Sequence, residues 1–484
     1  MQNLKAIKLI EKIRDTDIFE TLKHTKNYFS ADIAIKALGF ISIPIFTRLF
    51  TQEDYGIVAV FSSYVGIMTV ILSLNSYTAV GRYYYEKTHD FDEFIGTTLV
   101  FVGIVFCLTI PVYILFNNKI TNLMQLPKPL PIYLIFTCLF TIIYSIYYQI
   151  LVPQRRSKEA AIISALKGYI GFGVAVLLVC LLNESRYLGR IWSTLLVGLI
   201  FSIYFITKIF KYSKLCFRTK HIKYILNYSV PLIPYALSGI ILAQFDRIMI
   251  NNIINTASAG LYSLGYNIGM LLLIVIGSTQ TALMPDFFKF IDDKEYNRLD
   301  NLVKKVFSII TITALGLVLF AQEIGIILAD KKFHEGLQVV PIVVIGYVFF
   351  AMFTIYGRYI GYKKKTIFSS IIALTAGISN IILNAIYIPK YGYVAGAYTT
   401  VVSYFIMFIL AWIVAKYILQ QRITSLWMIW EPTLVMFGFI AAAYFLGDLG
   451  LNTILFIFIK LMLLGLFSII IFHKEIRAVL YYSK

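Results

Sequence analysis

From about residue 29 to residue 472 this chain repeatedly runs apolar for some twenty residues and then breaks for a short polar stretch. A helix rises 1.5 Å per residue, so ~20 apolar residues match the ~30 Å hydrocarbon core of a bilayer. Fourteen such spans can be read, at 29–49, 57–79, 95–117, 131–152, 159–182, 189–209, 229–252, 261–285, 306–328, 338–361, 366–388, 394–418, 426–446 and 450–472. The expected fold class is therefore an all-α polytopic membrane protein. Composition agrees: 59% of residues are hydrophobic and 14% charged, where soluble chains carry about 25% charge. The net charge of +18 would permit a nucleic-acid partner, but the Lys and Arg alternate between loops instead of forming one patch. That placement excludes nucleic acid.

The stretch SVPLIPYALSGIILAQFDRIMINN, Ser229 to Asn252, echoes the first span. At an offset of 199, Ser30 falls on Ser229, Ile41 on Ile240, Phe46 on Phe245 and Arg48 on Arg247. Thr78-Ala79-Val80 returns as Thr281-Ala282-Leu283, and Arg155-Arg156 as Lys363-Lys364. The order is kept while the offset drifts, as loop insertions would cause, and internal repeats of this kind mark transporter folds. The expected organisation is a first six-helix lobe over 29–209, a basic linker over 210–228, a second lobe over 229–418, and two extra helices within 426–472. Six is even, so the two lobes share one orientation. Residues 1–28 read as an amphipathic segment lying on a membrane surface, with no cleavable leader, and 473–484 as a tail.

Of the 43 Lys and Arg, 31 fall on the side of the N-terminus, 8 on the other side and 4 within spans. The positive-inside bias then puts both termini in the cytoplasm. No loop is long enough to be a domain, and no GxxxxGK[ST] occurs, which argues against ATP hydrolysis by this chain. The four cysteines lack CxxC spacing and the five histidines are scattered, so neither a metal centre nor a cofactor is expected. Asp90-Phe91-Asp92 reads as a solvated turn rather than a glycosyltransferase DxD.

Ionisable groups at membrane depth are costly and usually functional. Lys36, Arg48, Lys167 and Arg247 are candidates, with Arg82 and Arg358 near span ends, where snorkelling also accounts for an arginine. Asp32 stands four residues before Lys36, on the same helix face. Glu431 and Lys460, in the two extra spans, are expected to pair with each other. A mainly cationic interior stabilises an anion, and arginine's planar fork suits phosphate oxygens.

The opening KALGFISIPIFTRLFTQEDYGIVAVFSSYVGIM resembles the first two helices of bacterial polysaccharide flippases, the Wzx-type members of the multidrug/oligosaccharidyl-lipid/polysaccharide exporter superfamily. FDRIMINN and AGLYSLGYNIG are similar to the start of that family's second lobe. The resemblance implies two six-helix lobes around a cationic cavity. It implies a flippase of the cytoplasmic (inner) membrane that moves an oligosaccharide on undecaprenyl diphosphate by alternating access, for O-antigen or capsule biosynthesis. Substrate-binding candidates are then Lys36, Arg48, Arg247, Lys167 and Arg82. Asp32 and Asp246 are ion-coupling candidates, for a proton or a sodium ion. Membrane lipids and the polysaccharide polymerase machinery are the implied partners. A multidrug antiporter of the same superfamily, or a membrane-embedded glycan polymerase or glycosyltransferase, are the alternative readings. The extra helix pair is similar to the pair that in lipid II flippases borders a groove for the lipid tail.

Overall fold

In hydrocarbon every backbone N–H and C=O must find a partner within the protein, and a helix provides this from its own segment. The computed structural model of the chain describes residues 34–35, 37–86, 89–449 and 452–473, and these are almost entirely helical, with no strand. Thirteen helices among them are long and apolar enough to cross a membrane, and a shorter apolar helix covers Ala37–Leu49. The protein is a multi-pass membrane protein. Of the first span only the part from residue 34 is described; Asp32, Lys36 and the amphipathic stretch 1–28 lie outside the described residues.

Contacts divide the chain into two compact units that meet at Ile240 and Ile241. The first contains α1 (Ala37–Leu49), α2 (Gln52–Ser73), α3 (Ser76–Tyr85), α4 (Phe91–Met124), α5 (Leu130–Leu151), α6 (Ser157–Leu181), α7 (Tyr187–Phe210), α8 (Thr219–Ser229) and α9 (Ile233–Ile240). The second contains α10 (Asp246–Ile253), α11 (Thr256–Gly269), α12 (Leu272–Asp292), α13 (Tyr296–Leu319), α14 (Ala321–Leu328), α15 (Val339–Tyr362), α16 (Thr366–Tyr391), α17 (Val394–Ile413), α18 (Trp427–Gly447) and α19 (Thr453–Ile471). The extra pair belongs to this second unit, with α18 and α19 packed on each other and on α13.

Each unit has one helix at its centre. In the first it is α5, which packs on α2, α3 and α7. Leu134, Cys138, Ile142, Ile146 and Ile150, four residues apart along one face, are each no more than 2% exposed. In the second it is α15, packed on α11, α13 and α17. Val344, Val348, Met352, Tyr356 and Ile360 form the same stripe 210 positions later, all at 0%. The turn that follows is repeated as well. Arg155 and Lys364 both take positive φ, 55° and 58°. Around them Arg156 N–H donates to the Leu151 carbonyl as Lys365 N–H donates to that of Ile360. This is the hydrogen-bond pattern of a helix closed by a left-handed residue.

Several spans are broken where the apolar pattern alone gave one rod. Leu74 and Asn75 take positive φ, which splits the second span into α2 and α3. In α4 the backbone leaves helical geometry at Phe116 (φ −112°, ψ 16°), where the apolar run gives way to Asn117 and Asn118. The seventh span is the most interrupted. A 3-10 turn at Val230–Leu232 carries Pro231, and a π turn at Ile241–Phe245 precedes Asp246. Within the first unit the stretch after α7 is strapped to α4. Lys214 N–H donates to the Asp92 carbonyl, and a Cβ on Gly96 would meet the Lys214 carbonyl oxygen at 1.9 Å. Only glycine allows that approach.

Candidate functional site

The densest buried polar cluster among the described residues lies in the second unit, around Asp246. The π turn Ile241–Phe245 inserts a residue into the helix just before it, a distortion often found at functional sites. Asp246 is 1% exposed and Arg247 6%. Asp246 Oδ2 accepts from the Tyr262 hydroxyl at 2.6 Å and the Thr400 hydroxyl at 2.8 Å, and Oδ1 accepts from Asn384 Nδ2 at 2.6 Å. Asn384 Nδ2 also reaches Asn380 Oδ1 at 3.1 Å, and the Thr399 hydroxyl donates to Asn384 Oδ1. Four helices therefore converge on one carboxylate: α10, α11, α16 and α17.

The cluster is rich in oxygen and short of protons. Thr400 Oγ1 lies 2.8 Å from Asp246 Oδ2 and 2.9 Å from the Gly396 carbonyl oxygen, yet a hydroxyl carries one proton. Thr399 Oγ1 is placed the same way between Gly396, at 2.9 Å, and Asn384. A carboxylate among hydroxyl, amide and backbone oxygens is the donor set of a small hard cation, or of a bound proton.

Arg247 points away from that carboxylate. Its Nη1 donates to the Ala243 carbonyl at 2.8 Å and its Nη2 to Asn267 Oδ1 at 3.4 Å, while the guanidinium lies 4.7 Å above the Tyr266 ring. Arg48, its repeat counterpart, makes the equivalent bond, Nη1 to the Pro44 carbonyl at 2.6 Å. The positions match 199 apart in both donor and acceptor. The settings differ, since Arg48 is exposed and Arg247 buried.

Each of the other candidate cations has its own setting. Lys167 is half-buried on α6, its Nζ 4.2 Å above the Tyr144 ring, with no carboxylate paired to it among the described residues. Arg82 is exposed on α3 beside Glu86, at 3.6 Å, as a snorkelling arginine would be. Arg358 donates to the Gln280 carbonyl and covers Phe287, with Nη1 buried and unpartnered. The expected Glu431–Lys460 pair does not form. Glu431 meets Lys304 of α13 at 2.6 Å, and Lys460 meets Glu323 of α14 at 2.7 Å. Both extra helices packed on α13 and its continuation, where acids and bases of opposite sign were already waiting. Lys460 also lines a cavity of about 850 Å³, together with His334, Glu335 and Asp448.

At the other end of the first unit, Asp90 organises a latch. It accepts from the Tyr83 hydroxyl at 2.7 Å, from His221 Nε2 at 3.0 Å and from Lys220 at 3.2 Å. His221, first among these, holds the Asp90 carboxyl well below the usual carboxylate range, with Tyr83 and Lys220 adding to it. Asp92 and Glu93 bind Lys214 and Arg218 at 2.9 and 3.2 Å. The Asp90-Phe91-Asp92 triplet thus fastens the basic stretch 214–221 and holds no metal-ligand geometry.

Sequence reasoning found Asp246 and Arg247 but missed Asn380, Asn384, Thr399 and Thr400. The signal was there. Asn380 and Asn384 stand four apart in an apolar span, one helix face carrying two amides that lipid would not tolerate.

The resemblance read from the opening helices holds in the comparisons with known proteins. The profile of a family described as polysaccharide biosynthesis protein matches residues 22–291. Lsg locus protein 1 of Haemophilus influenzae is 22% identical over 411 residues, 80% of this chain and 98% of the relative. Among solved structures, lipid II flippase MurJ in an inward closed conformation superposes with a TM-score of 0.74 at 18% identity, covering 93% of this chain and 99% of that one. An inward-facing multidrug-resistance MATE transporter of the MOP superfamily gives 0.62 at 13% identity, over 80% and 94% of the two chains. At these identities the structural likeness establishes the fold.

Proposed function

The chain belongs to the polysaccharide biosynthesis protein family, and we propose that it is a flippase for a lipid-linked oligosaccharide. The observation that carries the reading is the family match, residues 22–291, on a chain with thirteen membrane-spanning helices among its described residues. The substrate is an oligosaccharide on undecaprenyl diphosphate, carried from the cytoplasmic to the outer leaflet of the cytoplasmic membrane for O-antigen or capsule assembly, and handed on to the polymerase machinery. Its diphosphate and sugars cannot cross hydrocarbon unaided, whereas the prenyl tail can stay in lipid. The lobes are those of the duplication, 29–209 and 229–418, joined by the basic linker 210–228 with both termini cytoplasmic, and they expose the site to each leaflet in turn. Lys36, Arg48, Arg247 and Lys167 meet the diphosphate, with Arg82 at the span end.

Asp246 is the coupling group. A cation entering between its carboxylate, Thr400, Asn384 and the Gly396 carbonyl would displace the hydrogen bonds that now tie α10 to α16 and α17. Loading therefore changes how those helices are held, which is the differential interaction a coupled change of state requires. Asp32 is the second ion-coupling candidate, in the first lobe. Deleting the gene in the source cell should cause lipid-linked oligosaccharide to build up on the cytoplasmic leaflet, beyond reach of a probe added outside. Unchanged labelling from outside refutes the proposal.

A further inference from the structure

A cavity of about 1130 Å³ in the first unit is a groove between the start of α6 and the end of α7. It exceeds the ~300–1,000 Å³ typical of small-molecule pockets. Its lining is sorted by height. Arg155, Arg156 and Lys158 stand at one end; Ile162, Leu166 and Ile170 continue along α6, and Ile200 faces them from α7. Lys158, Ile162, Leu166 and Ile170 are four residues apart, so they form one stripe with the cation at its end. Over those twelve residues the stripe runs ~18 Å at 1.5 Å per residue. That is roughly one leaflet of a bilayer with a ~30 Å core.

The apolar wall is open rather than packed. Ile162, Leu166, Ile170 and Ile200 are 45–64% exposed. The rim carries one acid, Glu159, and it is already engaged by Arg156 at 2.5 Å and by the Tyr147 hydroxyl at 2.6 Å. Lys158 has no acidic partner among the described residues. Two more cations flank the rim, Lys208 and Lys211 at the end of α7.

We propose that this groove is a binding site for an anionic phospholipid, its phosphate on Arg155, Arg156 and Lys158 and an acyl chain along the Ile162–Leu166–Ile170 stripe. Basic pockets between transmembrane helices at a membrane surface take anionic headgroups. The charge is complementary and the depth is that of an acyl chain. The one carboxylate of the lining, Glu159, is already engaged, and no side-chain amide lines the groove, so it offers little to sugar hydroxyls. The inference needs only that the chain spans a membrane and is independent of the transport reading.

The test is lipid retention by the purified full-length protein, measured by native mass spectrometry with dioleoyl phosphatidylglycerol and dioleoyl phosphatidylcholine in equal amounts. Phosphatidylglycerol is expected to be retained in preference. Arg155→Gln and Lys158→Gln should each cut that preference about five-fold, the weight of one basic residue at an anionic surface, and leave phosphatidylcholine unchanged. Ile200→Trp, which fills the groove without touching charge, should reduce retention of phosphatidylglycerol while the protein still elutes as a single folded species. Equal retention of the two lipids, or retention indifferent to all three substitutions, overturns the proposal. So does displacement of the lipid by inorganic pyrophosphate, which would make the rim a bare anion site. Displacement by undecaprenyl diphosphate at concentrations where added phosphatidylglycerol does not compete would also overturn it, by giving the groove to the transport substrate.

Discussion

Two ion pairs fasten the extra helices to the second unit, and their surroundings predict very different energies. Lys460 and Glu323 meet at 2.7 Å with side chains 7% and 24% exposed. Glu323 Oε2 is buried with no hydrogen-bond partner, so Lys460 is its main compensation. At an effective dielectric constant of ~20, two charges this close attract by about 6 kcal/mol, most of which repays their desolvation. Removing one partner strands the other. Lys460→Met and Glu323→Leu should each destabilise by about 3–5 kcal/mol, while the double variant should lie within about 1 kcal/mol of the parent. Lys304 and Glu431 meet at 2.6 Å but are 28% and 34% exposed. Their cycle should give a coupling below about 1 kcal/mol. The assay is reversible unfolding in mixed micelles with increasing denaturing detergent, read as a double-mutant cycle for each pair. A Glu323/Lys460 coupling no larger than that of Lys304/Glu431 would refute the reasoning that burial, not distance, sets the value of these contacts.

Other expectations follow from the two polar clusters. Asp246→Ala leaves the buried Tyr262 hydroxyl without its acceptor, while Thr400 and Asn384 keep Gly396 and Asn380, and should cost about 1–3 kcal/mol. Asp246→Asn should keep the fold and abolish any dependence of transport on the coupling ion, seen by exchanging sodium and proton gradients. Asp90→Ala should destabilise the latch by about 1–3 kcal/mol and lower the hydrogen-exchange protection of the 214–221 strap, whose lysine side chains are already exposed. Because the Asp90 carboxyl is held below its ordinary value near 4 when folded, its contribution is complete at neutral pH and is lost as pH falls below that ordinary value. In the parent the strap should therefore lose hydrogen-exchange protection as the pH is lowered below that value, and Asp90→Ala should show no such step. Gly96→Leu, whose side chain would occupy the Lys214 backbone, should release the same strap.

The spans were legible because lipid leaves the backbone no alternative to helix, and their read ends fall close to the observed ones for α5, α6, α7, α16 and α18. The repeat was read from Arg48 and Arg247, and the two arginines make matched carbonyl bonds. Breaks at Leu74 and in Ile241–Phe245 were not legible, because neither an αL pair without glycine nor a π turn leaves a hydropathy signal. Pairing of Lys460 and Glu431 was misread for a different reason. Adjacent helices offered each an obvious partner, but α13 and α14, more than a hundred residues away, supplied the actual ones. The Asn380–Asn384–Thr400 side of the Asp246 cluster went unseen because attention to charge passes over neutral amides and hydroxyls.

The most direct test of the central claim is transfer of a fluorescent undecaprenyl-diphosphate oligosaccharide between leaflets of proteoliposomes containing the purified chain, followed by quenching from outside. The parent should move the label faster than protein-free vesicles do. Arg247→Ala, checked for folding, should slow it, because that guanidinium is a buried cation next to the Asp246 cluster. Transfer no faster than in empty vesicles, with several glycans and with both sodium and proton gradients supplied, would contradict the flippase reading.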